Sequence, residues 1–188
     1  MAAMLSRATA FWRRALKNYP LATNATVYAG FYTAAELMQQ SYNKMYLPEK
    51  PDIDFAAVAR ISAVGSTLYA PILYNWYKFL DRRFTGNAIK TVLTKVACDQ
   101  FIMTPVLLAL FFTIMSTLEG KEDIFAELKE KYWIAFIANQ SFWIPAQTVN
   151  FYFMPPQLRV VYVASVSFVW INVLCFIKRQ KISQEKKS

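Results

Sequence analysis

Stretches of about twenty apolar residues recur along this chain, divided by tracts that hold its prolines and most of its charges. An α-helix rising about 1.5 Å per residue needs roughly 20 residues to cross about 30 Å of hydrocarbon. Lipid offers the backbone no hydrogen-bond partner, so each stretch must satisfy its own amides and carbonyls, as a helix does. Hydrophobic residues are 56% of the 188 and aromatics 16%, and the mean hydropathy is +0.22. A solvated soluble domain carries less. The sequence therefore predicts an all-α fold: a polytopic membrane helical bundle forming one unit, without internal repeats.

The net charge of +9 would suit nucleic acid, but its placement argues against that. Basic residues gather before the first apolar stretch (Arg7, Arg13, Arg14, Lys17), between later ones (Lys78, Arg82, Arg83, Lys90, Lys95) and in the tail (Lys178, Arg179, Lys181, Lys186, Lys187). This is the positive-inside pattern of a protein that meets lipid and binds no nucleic acid directly.

Three regions follow: an amphipathic segment over 1–20, a transmembrane bundle over 21–177 and a basic tail over 178–188. In the first, Leu5, Ala8, Trp12 and Leu16 share a helical face, and no acidic residue precedes Glu36, as in mitochondrial targeting sequences. Helices are predicted over about 21–40, 55–80 with a kink at Pro71, and 88–118 with Asp99, Gln100 and Pro105. An acidic loop, 119–131, precedes two further apolar stretches, 132–154 and 158–177, divided by Pro155 and Pro156. If both cross, the basic tail lands on the acidic side. Lysine and arginine asymmetry favours four net crossings, with 132–154 re-entrant or lying along the interface; five crossings are the alternative.

Polar groups inside these stretches are the candidate site. Asn139, Gln140, Gln147 and Asn150 must face other helices or a wet cavity. Gln147 and Asn150, three apart, share a helix face. Glu36 and Arg60 lie equally deep on either side of the first loop and are expected to pair, with Arg159 as a competitor for Glu36. Asp99, with Gln100 beside it in the sequence, is expected to pair with Lys95 or Lys78, or to make a helix-packing hydrogen bond. Gln39 and Gln40 complete the set. Pore lining and packing network both fit it. Tryptophans and tyrosines read as interfacial anchors and core.

Histidine is absent, which removes the commonest general base and metal ligand. Cys98 and Cys175 lie in apolar stretches and read as small buried hydrophobes, not a disulfide. No Gly-rich phosphate loop, Gly-x-Ser-x-Gly or metal-ligand cluster occurs. Expected are no enzyme, no cofactor and no metal. A small channel is the leading reading, a non-conducting scaffold the second and a membrane enzyme the least favoured, with lipid, small solutes or ions, and a homo-oligomer as partners.

Particular residues carry a resemblance along nearly the whole chain. They are Glu36-Leu-Met-Gln39-Gln40; Trp76-Tyr77-Lys78-Phe-Leu80-Asp81-Arg82 with Gly86; Lys95-Val-Ala-Cys-Asp99-Gln100 with Pro105; and Trp143, Gln147, Asn150-Phe151, Pro155, Arg159 and Trp170. The sequence resembles the peroxisomal membrane protein family of twenty-two kilodaltons, also called the Mpv-seventeen family. It departs where Ile144 separates Trp143 from Pro145, and where Asn172 stands one position later than the family's asparagine. The resemblance implies a multi-pass protein of the mitochondrial inner membrane or peroxisomal membrane, and links to pore formation, reactive-oxygen metabolism and mitochondrial DNA maintenance.

Overall fold

The computed structural model describes residues 10–12, 14–46, 51–86 and 88–170. Among them every regular element is helical, and no strand occurs. We label the long helices α1 (Pro20–Tyr46), α2 (Phe55–Arg83), α3 (Ile89–Leu118), α4 (Ala126–Phe153) and α5, which is helical over 159–170. Leu5, Ala8 and the basic tail lie outside the described residues. Of the expected amphipathic face, Leu16 is buried while Trp12 is exposed.

Local chemistry sets the boundaries. Asp54 caps α2 by accepting the Ala57 N–H at 3.0 Å, which satisfies one of the orphan amides of a helix start. Helix α1 runs past the predicted 21–40, because nothing in Ser41–Tyr46 breaks it and the Ser41 hydroxyl donates back to the Leu37 carbonyl. At the end of α3, Gly120 takes φ of +68°. There the Lys121 and Gly120 amides donate to the Ser116 and Thr117 carbonyls, a Schellman turn that a residue with a Cβ would strain. Helix α4 starts earlier than the predicted 132, with Lys121 and Lys131 both bridging Glu127 in its first turn; an acidic side chain there complements the helix dipole.

Two helices contain a wide π turn, at Gly65–Tyr69 in α2 and Asp99–Met103 in α3. Each lies just before a proline, Pro71 and Pro105. Proline donates no amide and its ring crowds the carbonyl four residues back, so the turn before it loosens. The predicted kink at Pro71 thus takes the form of a π turn. Pro145 sits inside α4 without one.

Cross-contacts fix an antiparallel order. Gln40 meets Asp54, and Thr33 meets Ser62, between α1 and α2. Trp76 meets Asp99, and Tyr69 meets Leu107, between α2 and α3. Helix α4 packs along both halves of α3, and α5 returns beside α4, with the Trp170 and Phe142 ring centroids 4.5 Å apart and the rings tilted by 30°. Residues 132–153 belong to one continuous helix of 28 residues, about 42 Å long, so the re-entrant form of the expectation for 132–154 is corrected.

The core gathers Tyr28, Leu73, Tyr77, Val96, Trp143 and Phe151. Outside it, Phe101 and Ile134 are 63% and 74% exposed. Helices α2 and α3 are long and apolar enough to cross a membrane, and most of α3's apolar stretch lies outside the protein core. Apolar surface of this extent would be a liability in water and is at home in lipid.

Candidate functional site

The antiparallel order brings three polar layers onto the bundle axis. The middle layer is a septum of amides and phenols. Asp99 and Gln100, 2% and 1% exposed, come from the π turn of α3. Asp99 accepts the Trp76 indole N–H and the Gln100 amide, each at 2.9 Å. From α4, Gln147 donates to the Tyr77 hydroxyl and accepts from the Asn150 amide, both at 2.8 Å. Gln140 donates to the Gln100 carbonyl at 3.3 Å.

On one side of this septum lies a cavity of about 550 Å³. Tyr28, Tyr32, Tyr69 and Tyr77 line its inner wall with Asp99, Gln100 and Gln147, while Leu108, Phe111, Ile134 and Asn139 form the part between α3 and α4. The Tyr28 hydroxyl and Gln100 Oε1 are buried without a hydrogen-bond partner among the described residues, as are Asn150 Oδ1 and Gln140 Oε1. Orphaned polar atoms of this kind are uncommon, because each carries an uncompensated desolvation cost.

On the other side, one helical turn along each helix, lies a cavity of about 530 Å³ lined by Asp81, Lys95 and Arg159 with Thr85, Gly86 and Pro155. Lys95 Nζ stands 2.8 Å from Asp81 Oδ1, and the Arg159 guanidinium bonds the same oxygen. Arg159 also donates to the Met154 and Phe151 carbonyls and lies 5.1 Å from the Phe151 ring centroid. This residue joins α5 and the end of α4 to α2.

Several expected partnerships are corrected. Arg60 pairs with Asp54 at 3.4 Å and not with Glu36, because the capping carboxylate lies six residues earlier, at the start of the same helix. Glu36 instead accepts from Gln40 at 2.9 Å, and Gln40 clamps both the amide and the carbonyl of Asp54. Glu36, Gln39 and Gln40 thus stay at the far end of α1, outside the septum. Asp99 pairs with neither Lys95 nor Lys78; Lys95 goes to Asp81, and Lys78 lies over the Tyr74 ring at 5.7 Å. Arg159 goes to Asp81 and not to Glu36. The shared face of Gln147 and Asn150 is borne out by their hydrogen bond. Among the other motif positions Trp143 and Phe151 are buried, Pro105 and Trp170 half-buried, and Arg82, Pro145 and Pro155 exposed. Among the described residues no group of His, Cys, Asp and Glu could hold a metal ion.

The inner tyrosines were missed as site residues. Their signal is spacing: Tyr28 and Tyr32 are one turn apart, Tyr69 and Tyr77 about two, so each pair shares a face. Outside the spanning helices, Asp54's carboxyl is held below its usual range, chiefly by the Ala57 amide.

A bundle that turns apolar side chains outward and threads amides, phenols and ion pairs along its axis is a helical membrane protein with a polar interior. The family model described as Mpv17 / PMP22 family matches residues 116–175. The Mpv17-like protein of Xenopus laevis is 36% identical over 168 residues, 89% of this chain and 81% of that protein. The Mpv17-like protein of Bos taurus is 32% identical, over 89% of this chain and 82% of its own length. The mitochondrial inner membrane protein Mpv17 of Danio rerio is 36% identical over 62% of this chain and 67% of that protein. The chain belongs to the Mpv17/PMP22 family. No solved structure matches it.

Proposed function

We propose that the chain is a non-enzymatic conduit for small hydrophilic solutes or ions, held shut in this conformation by the amide septum. The carrying observation is the pair of cavities, about 550 and 530 Å³, whose linings lie about one helical turn apart on α2 (Tyr77 and Asp81) and α3 (Asp99 and Lys95), with the septum's buried polar side chains at the inner end of the first. Hydrogen-bonded side chains with spare acceptors can exchange partners with passing water, which an apolar plug cannot. On this reading all five helices cross, and the termini lie on opposite sides; protease protection of tags at the two ends tests that count. Kinship with a protein named for the mitochondrial inner membrane supports an organelle membrane, mitochondrial or peroxisomal, and an influence on reactive-oxygen balance would follow from the flux.

The purified chain is expected to give discrete conductance in planar bilayers, and Asn150→Ala with Gln147→Ala to raise the open fraction. Cysteines placed at 147 and 150, after Cys98 and Cys175 are changed to Ala, should react with a membrane-impermeant thiol reagent. A second reading, a scaffold, is favoured by one feature: the septum's donors all meet acceptors within the protein, as packing alone requires. Silent bilayers together with unreactive cysteines would establish the scaffold.

A further inference from the structure

We infer that the cavity at the basic end of the bundle is a binding site for a phosphoryl group, with Lys95 and Arg159 as its ligands. The charge balance points there. Two cations, 2% and 3% exposed, share a single oxygen of a single carboxylate, Asp81 Oδ1. No other carboxylate among the described residues is within ion-pair reach of either. Asp99, one turn beyond Lys95 on α3, has its oxygens engaged by Trp76 and Gln100. A buried cation without its own counter-charge is strongly disfavoured, and an anion in the adjoining cavity relieves it.

Donor geometry agrees. An ammonium carries three N–H donors and a guanidinium five. Within the protein Lys95 spends one, on Asp81, and Arg159 three, on Asp81, Met154 and Phe151. The remaining N–H groups belong to side chains that line a cavity large enough for a small ligand. Phosphoryl oxygens supply negative charge and several acceptors at once, and take charge-assisted hydrogen bonds from such a pair.

The surroundings fit the same ligand. Residues 82–98 contain no Asp or Glu but carry Arg82, Arg83, Lys90 and Lys95, and Arg82, Arg83 and Lys90 are exposed at this end of the bundle, which draws anions toward the cavity. Tyr152 and Phe153, exposed and apolar, stand on its other wall. A phosphoryl group can therefore arrive on a free solute or on a lipid headgroup, since basic pockets between helices at the membrane face accept both. The site does not depend on conduction, and its test reads binding alone.

The full chain in a phosphate-free maltoside detergent is melted in chloride and in inorganic phosphate at equal ionic strength, and separately in micelles with and without added phosphatidylglycerol. A ligand near a hundred times its Kd raises Tm by roughly 5 to 10 °C for a chain of this size. A gain in phosphate identifies a free solute as sufficient; a gain only with phosphatidylglycerol identifies the headgroup. Lys95→Gln leaves Arg159 and Asp81 as a balanced pair, so this variant should fold and lose most of the gain. Asp81→Asn should gain more than wild type. No gain from either source over chloride overturns the site, and an undiminished gain in Lys95→Gln overturns its assignment to these residues.

Discussion

Two buried polar clusters sit one helical turn apart on the same axis and solve the same problem differently. In the septum, amides, a phenol and an indole gather around one carboxylate across α2, α3 and α4, each amide and indole N–H donor named above meeting an acceptor while several amide oxygens stay unpartnered. In the charged cluster, two cations lean on one carboxylate oxygen and leave donors facing a cavity. The first is short of donors for its acceptors; the second is short of negative charge for its cations, which leaves it able to take an anion. A neutral interhelical hydrogen bond contributes about 1 kcal/mol, whereas removing one partner of a buried ion pair costs about 3–5 kcal/mol.

The comparison is most exposed at Asp81. Asp81→Asn should destabilise the solubilised protein by about 3–5 kcal/mol, the largest single loss predicted. Combined with Lys95→Met it should cost less than the two changes separately, a coupling that thermal or denaturant unfolding measures directly. Additive losses would mean that the cluster holds no shared charge. Trp76→Phe comes next: it removes the indole donor from Asp99 and should cost about 1.5–3 kcal/mol, the range for a hydrogen bond to a charged group.

Within the septum the effects shrink. Gln147→Leu and Asn150→Leu should each cost about 1 kcal/mol, and the double variant less than their sum, because Asn150 donates to Gln147. Losses as large as that of Asp81→Asn would erase the distinction between the clusters. The smallest effect belongs to an exposed reference, Asp54. Its folded-state carboxyl titrates below its ordinary value of 3.8, so its stabilisation is present above that value and disappears as pH falls through the lowered one. Asp54→Ala should melt slightly below wild type near neutral pH and match it in strong acid.

Much of the architecture was written in hydrophobic length and proline position, which fix where helices run and where they loosen. The shared face of Gln147 and Asn150 was legible because both lie on one helix at a fixed spacing. Partnerships between helices were not. Glu36 and Arg60 matched in depth, yet Arg60 found the nearer Asp54, and depth alone does not give rotation about the axis. That 132–153 continue one helix begun at Ala126 was not legible either, because loop charge speaks for topology and not for continuity. Asp81 stood in view within a family motif, but a carboxylate at the end of a helix beside Arg82 and Arg83 gives no sign that its partners lie on α3 and α5.

The two π turns precede Pro71 and Pro105 on neighbouring antiparallel helices, and the Tyr69 hydroxyl, at the end of the first, donates to the Leu107 carbonyl just past the second at 3.2 Å. Each loosened turn is a pivot, and this bond ties the two pivots together. Bending α2 alone would pull on α3, so any swing of one half-helix recruits the other, and the pair behaves as coupled levers. The arms toward the α2–α3 loop carry Asp81 and Lys95, while the wall residue Leu108 rides on the opposite arm of α3. A force that moves the charged end would thereby be passed across the linked pivots to the wall of the cavity lined by the tyrosines.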